Sequence, residues 1–351
     1  MARRLVILPL CVLLACGLWA QKRKNKKDEE PPTQVLPPLP EPPEAVVAET
    51  GRLSFQVSPL SAKGLLSQQV RDALKTLMRD NHGVPIVKLR AFVAGSGDLR
   101  RVQTIVSEEL TDRKQALPAI STIQVGALPM VGAQVVLESV SVEKKAVNPS
   151  GLVFFSAADA RDAATAVAQL QKTVSAASVK PANVLRVTCF LSSLDDGPAV
   201  RMALATSFPS AAVDLVQMQR LGLQAQIACE AIGRLDSQPP APQSGTPVQF
   251  AMATAPKLVF TETQLIFRDQ DSDIRLAFLR LGKAMEPLGA SYKDVIWSGV
   301  YPLTRTLAMK IDALRFDFFD RTHPPAGTML LFEGLPSIDA TAAIELAASV
   351  H

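Results

Sequence analysis

The sequence predicts an α+β protein of three tandem units, each in the order β-α-β-α-β-β. A helix–turn–strand cadence recurs three times, in "DNHGVPIVKLRAFVAGSGDL", "SVKPANVLRVTCFLSSLDDG" and "EPLGASYKDVIWSGVYPLTRT". Upstream of each lies an apolar stripe of helical spacing, and each copy is flanked by β-rich runs. Aligning the cadences places Phe92, Phe190 and Tyr301 at equivalent strand positions.

The units open with "RLSFQV", "GLVFFS" and "KLVFTETQL", short runs rich in strand formers. The first helix of each follows. Its buried face is Val70, Leu74, Leu77 and Met78 in unit one, and Ala163, Val167, Leu170 and Val174 in unit two. In unit three it is Ile274, Phe278, Leu281 and Met285. Ser67 and Ser272 stand where an N-cap belongs. After the diagnostic strand comes a second helix, clearest in unit three, where Leu307, Ile311, Leu314 and Phe318 share a face. Each unit then closes with a strand pair: "AISTIQV" with "AQVVLESV", "VDLVQMQ" with "QAQIACEAI", and "TMLLFEG" with "AAIELAA". The units run over 51–145, 150–236 and 250–351, with a Pro-rich linker at 237–249. Helices on one sheet face leave the other face free, so units of this size gain by packing on one another.

Ahead of the units, residues 1–20 carry two arginines and an apolar run from Leu5 to Ala20. That run is short for a membrane span and suits an export signal. "LLAC" resembles a lipobox, which makes Cys16 a candidate lipidation site. Five basic residues between Lys22 and Lys27 favour a cytoplasm-facing anchor instead, by the positive-inside bias. Both placements stand as expectations: an exported, periplasmic or membrane-anchored lipoprotein, or a cytoplasm-facing anchor. Residues 21–50, charged and then Pro-rich, read as a semi-rigid tether.

Composition narrows the function. The 351 residues are 48% hydrophobic and 20% charged, with a formal charge of +4, so no dense basic face for nucleic acid is implied. With only three histidines, His82, His323 and His351, no Cys/His cluster has metal-ligand spacing, and no nucleophile motif stands near them. Neither a metal nor an organic cofactor is expected. Beyond the N-terminal segment the cysteines are Cys189 and Cys229, which read as small buried hydrophobes, their pairing left open.

In order and content the units resemble the RidA family, the YjgF-type reactive intermediate deaminases with a chorismate-mutase-like fold. In unit three the match runs through "KLVFTETQL", the cadence itself and "PPAGTMLLFEGLPSIDATAAIELAA". Unit two matches through "VKPANVLRVTCFLSSLDD" and "QRLGLQAQIACEAIGRL", and unit one through "LPAISTIQVGALPMVGAQVVLESV". The family forms homotrimers with ligand clefts between subunits. The resemblance therefore implies one chain folded as an intramolecular pseudo-trimer, monomeric in solution, with a small molecule or protein as partner and the membrane touched only through the N-terminus.

Deaminating members grip a carboxylate with an arginine, whose planar fork meets both oxygens. A glutamate positions the water that attacks the C=N carbon. Carried over, the arginine positions hold Ile120, Val213 and Gly327, so no unit retains that arginine. The glutamates fall on Glu138, Glu230 and Glu345, near the ends of the final strands, either positioning water or facing solvent and backbone. Loss of a bidentate contact costs about a hundredfold in carboxylate binding. Arg220 and Arg305 are neighbouring arginines, read as surface charges. The expectation is a binding protein without 2-imino-acid deaminase activity. The alternatives are an imine or enamine deaminase using the glutamates and, lastly, an endoribonuclease, which low charge and few aromatics disfavour.

Overall fold

The computed structural model describes residues 38–351 apart from 96–97, 221–223 and 240–249. Residues 1–20 with Cys16, the tether as far as residue 37 and most of the 237–249 linker lie outside the described residues. Among the described residues no helix is long and apolar enough to cross a membrane.

The chain runs through β1 (Ala45–Glu49), β2 (Leu53–Val57), α1 (Leu66–Asp80), β3 (Ile86–Ala94), α2 (Leu99–Asp112), β4 (Ala119–Val125) and β5 (Val135–Val142). It continues through β6 (Leu152–Phe155), β7 (Asp159–Ala160), α3 (Ala163–Ala176), β8 (Val184–Leu191), α4 (Gly197–Ser207), β9 (Ala212–Gln217) and β10 (Ile227–Arg234). Last come β11 (Phe250–Ala253), β12 (Lys257–Thr261), β13 (Gln264–Phe267), α5 (Asp271–Met285), β14 (Val295–Pro302), α6 (Arg305–Leu314), β15 (Ala326–Met329) and β16 (Ala340–Val350).

Three sheets form, with one strand order repeated: β2-β5-β3-β4, then β6-β10-β8-β9, then β12-β16-β14-β15. The closing strands are therefore not paired with each other, as the sequence suggested. β3, β8 and β14 lie between them and run parallel to β4, β9 and β15. The reason is the second helix, a crossover that returns the chain parallel to the strand it left.

Helix stripes and caps follow the apolar spacing, with small shifts. Val70, Leu74 and Leu77 are buried on α1, Val167, Leu170 and Val174 on α3, and Ile274, Phe278, Leu281 and Met285 on α5. Ser67 and Ser272 lie inside the first turns; the N-caps are Leu65 and Gln270, neither with a side-chain cap bond. Asp98, Asp162 and Thr304 do cap α2, α3 and α6 through their side chains.

Two domain boundaries also shift. Ala45–Glu49, placed in the tether, is strand β1 and pairs antiparallel with β12. Phe250–Ala253, placed in the third unit, is strand β11 and pairs with β6 of the second sheet. Both cover sheet edges that would otherwise present unpaired backbone groups.

Strand alternation sorts the side chains into two populations. One face of each sheet packs on its own two helices, as with Leu89, Ala91 and Val93 of β3 against Val70, Leu74 and Val102. The other faces meet in a shared interior. Phe92, Phe190, Tyr301 and Phe332 form an apolar layer at one end, with Phe92 and Phe190 centroids 6.0 Å apart. Phe55, Phe154, Phe260 and Trp297 form another at the opposite end. Amides at or just beyond the ends of β4 and β9 stitch the sheets together: Gly126 N–H donates to Gln217 O, Gln124 N–H to Gly334 O and Gln219 N–H to Leu331 O.

Cys189 and Cys229 are opposite each other on β8 and β10 and form a disulfide, not two free thiols. Their Cα atoms are 4.1 Å apart, a distance the narrow antiparallel pair supplies directly.

Candidate functional site

Between the two apolar layers lies a buried polar one. Register explains its membership: Arg90 stands opposite Glu138, Thr188 opposite Glu230 and Gly299 opposite Glu345. On the parallel side Arg90 faces Ser121, Thr188 faces Asp214 and Gly299 faces Thr328. All these strands point the same parity inward, so nine positions converge.

The three glutamates were expected near strand ends, as water-positioning or solvent-facing groups. They sit mid-strand and are 1%, 4% and 1% exposed for Glu138, Glu230 and Glu345. One guanidinium holds them together. Arg90 Nε donates to Glu138 at 2.7 Å and Nη2 to Glu230 at 2.8 Å, while Nη1 lies 3.7 Å from Glu345. Nη1 also donates to the Tyr301 hydroxyl at 3.2 Å. The Phe92 and Trp297 rings lie 5.0 and 5.7 Å from the guanidinium carbon.

The remaining acceptors are used by neighbours. Lys88 Nζ lies 2.5 Å from Glu345 and donates to Ser121 at 2.6 Å and to Thr261 O at 2.7 Å. Arg186 approaches Glu138 at 3.5 Å. Hydroxyls complete the set, with Thr188 donating to Glu138, Thr328 to Glu230, and both Ser121 and Tyr301 to Glu345. Gly299 fits because a Cβ there would meet Trp297 and the Tyr301 hydroxyl at 2.7 Å.

Electrostatics follow from this pairing. Burial opposes the charge of Glu138, but Arg186 and Arg90 outweigh it and hold its carboxyl below the ordinary range. Burial likewise opposes Glu345, and Lys88 and Arg90 hold it low. Burial also disfavours the Arg90 cation, yet Glu138, Tyr301, Glu230 and Glu345 push its pKa well up. Asp214 behaves differently: burial and then the Glu138 charge push its pKa well up, against Arg90 and Arg186. Three basic side chains, Lys88, Arg90 and Arg186, thus face three glutamates, with Asp214 beside them.

Ile120, Val213 and Gly327 lie outside the polar layer. Ile120 packs into the helix-side core of the first sheet, and Val213 packs against that of the second. The Gly327 N–H donates to Ser156 Oγ at 3.1 Å. Each stands one residue before the inward-facing Ser121, Asp214 or Thr328, so the three positions are equivalent to one another and lie on the opposite strand face. Arg220 and Arg305 are exposed and join neither group.

Two spaces adjoin the layer. A chamber of ≈ 30 Å³, lined by Lys88, Arg186, Phe154, Phe260 and Trp297, has room for one water-sized occupant. A cleft of ≈ 810 Å³ opens between the first and second sheets, with Val57, Leu60 and Val136 on one wall and Arg201, Val213 and Asp214 on the other. Among the described residues no group of three or more His, Cys, Asp or Glu is arranged to hold a metal ion.

Arg90 was missed in the sequence. The signal was there: Lys88 and Arg90 alternate with apolar residues on the strand face that Phe92 marks as buried. A charge at such a position demands a partner.

Solved structures similar to stretches of the chain include many YjgF, Rid and L-PSP family proteins. A member of the YjgF/YER057c/UK114 family from Mycobacterium tuberculosis is 21% identical, with a TM-score of 0.25 over 26% of this chain and 79% of that one. A Rid-family protein of unknown function from Yersinia pestis is 15% identical, with a TM-score of 0.25 over 26% and 80%. A putative endoribonuclease L-PSP from Entamoeba histolytica is 16% identical, with the same score and coverage. No family model and no curated protein matches the chain.

Proposed function

We propose that the chain is a RidA-like pseudo-trimer in one polypeptide that binds a small molecule between its sheets and does not deaminate 2-imino acids. The observation that carries this is the occupation of all three glutamates by Arg90, Lys88 and Arg186. A buried cation paired with a carboxylate weakens it as a base toward an attacking water. Absence of arginine at Ile120, Val213 and Gly327 removes the substrate clamp as well. Enamine or imine deamination through Glu138, Glu230 and Glu345 is disfavoured on the first ground alone.

The binding place is the cleft between the first and second sheets, concave and lined by apolar and polar groups in similar measure. Export of the body fits the Cys189–Cys229 disulfide, because such bonds persist in oxidising compartments. The N-terminus then supplies a signal or a lipid anchor at Cys16.

The test is hydrolysis of 2-imino acids, generated in situ by an amino-acid oxidase, with the full chain added in excess. No acceleration over the spontaneous rate is expected. Acceleration that vanishes on Glu345→Gln would overturn the reading.

A further inference from the structure

Asp214 is the inward-facing residue of β9, in the position held by Ser121 on β4 and Thr328 on β15. Those two hydroxyls donate to glutamates of the polar layer. Asp214 does not share their arrangement: the acceptor it would serve, Glu138, already takes Arg90, Arg186 and Thr188. Its Oδ2 is buried with no hydrogen-bond partner, and the residue is only 3% exposed. The same residue lines the cleft between the first and second sheets. A buried, unpartnered carboxyl oxygen is a costly arrangement that a donor entering from the cleft would relieve.

The surroundings say which donor. Val57, Leu60, Val136 and Val213 give the walls apolar patches, with Ser58, Thr76, Arg79, Asp80 and Arg201 on the same lining. A carboxylate has no hydrogen to give the unpartnered Oδ2. An ammonium head supplies that donor, while an apolar body meets the valines and Leu60.

We propose that this cleft takes small primary amines with an apolar body, the ammonium group pairing with Asp214. The proposal rests on the reading that this cleft is the binding place. The ammonium favours the carboxylate form of Asp214, and a proton that burial keeps on that carboxyl passes to the buffer. The groups that act on Asp214 are Glu138, Arg90 and Arg186, and those at the cleft rim are Arg79, Asp80 and Arg201. Arg79 and Asp80 pair with each other at 3.0 Å.

The test is titration calorimetry of the full chain with benzylamine, phenylacetate and benzyl alcohol at neutral pH, in phosphate and in Tris. Chemical shifts of the Met130 methyl, on the cleft lining and 41% exposed, report occupancy independently. Benzylamine is expected to bind with proton release, read as a buffer-dependent heat, and Asp214→Asn to weaken it at least tenfold. Should Asp214→Asn fail to fold, Met130→Trp narrows the cleft without touching Asp214 and is expected to give the same loss. Amine binding without proton release, or unaffected by the variants, overturns the proposal. Phenylacetate or benzyl alcohol shifting Met130 while benzylamine does not overturns the proposal and leaves the cleft reading standing. If no probe binds and Met130 does not move, both fall.

Discussion

A single guanidinium surrounded by three carboxylates on three different sheets makes Arg90 the residue on which the interior's charge balance turns. Removing one partner of a buried ionic group leaves the others uncompensated, at a cost of about 3–5 kcal/mol. Arg90→Met is therefore expected to lower stability by that amount in chemical denaturation. Adding Glu138→Gln and Glu230→Gln should recover most of the loss, since the stranded charges go with it. The acid response has a definite sign. The folded carboxyls of Glu138 and Glu345 lie below their ordinary range, so the stabilisation is complete above about pH 4.3 and drains away as pH falls below it. Asp214 has the opposite sign, because its folded pKa is raised and its burial costs stability as pH rises past about 3.9. Asp214→Asn should thus raise stability at neutral pH by about 1–2 kcal/mol, a gain that disappears at pH 3. At this scale the sequence was partly legible. Glu138, Glu230 and Glu345 were marked by the family resemblance, but their partner came from a position filled differently in each copy, as Arg90, Thr188 and Gly299. Repetition hides what asymmetry supplies.

Among the elements, the strands that legibility missed are the ones that join sheets. "AVVAE" is five residues after a run of prolines, too short to show a period, yet β1 covers the edge of β12 along its full length. A chain beginning at residue 50 should expose that edge and show faster amide exchange in β12 than the full chain. The long strands and helices were legible because burial on one face imposes a period of two or of 3.6. Strand order was not, since β3, β8 and β14 slip between strands adjacent in sequence. The Cys189–Cys229 bond closes a separation of 40 residues. Its reduction, or the paired Cys189→Ala and Cys229→Ala change, is expected to cost about 2–4 kcal/mol. Unfolding followed by α3 and α4 reporters with and without dithiothreitol checks it.

For the whole molecule, residues 39–351 form one compact body, and the three sheets share one interior. One chain per particle is the expected outcome of light scattering, because the inward faces are already covered. Unfolding should be a single transition, with all three sheets losing structure together, since the polar layer belongs to all of them. Separate transitions by sheet-specific probes would show that the shared interior contributes less than its burial implies.

Arg90 among its three acids also makes the three segments of the interior non-interchangeable. Three copies of the first segment would crowd three guanidinium groups into one place; three copies of the third would bring three acids and no base from the equivalent strand. A centre built from unequal neighbours needs all three segments, and none of them can supply it in triplicate.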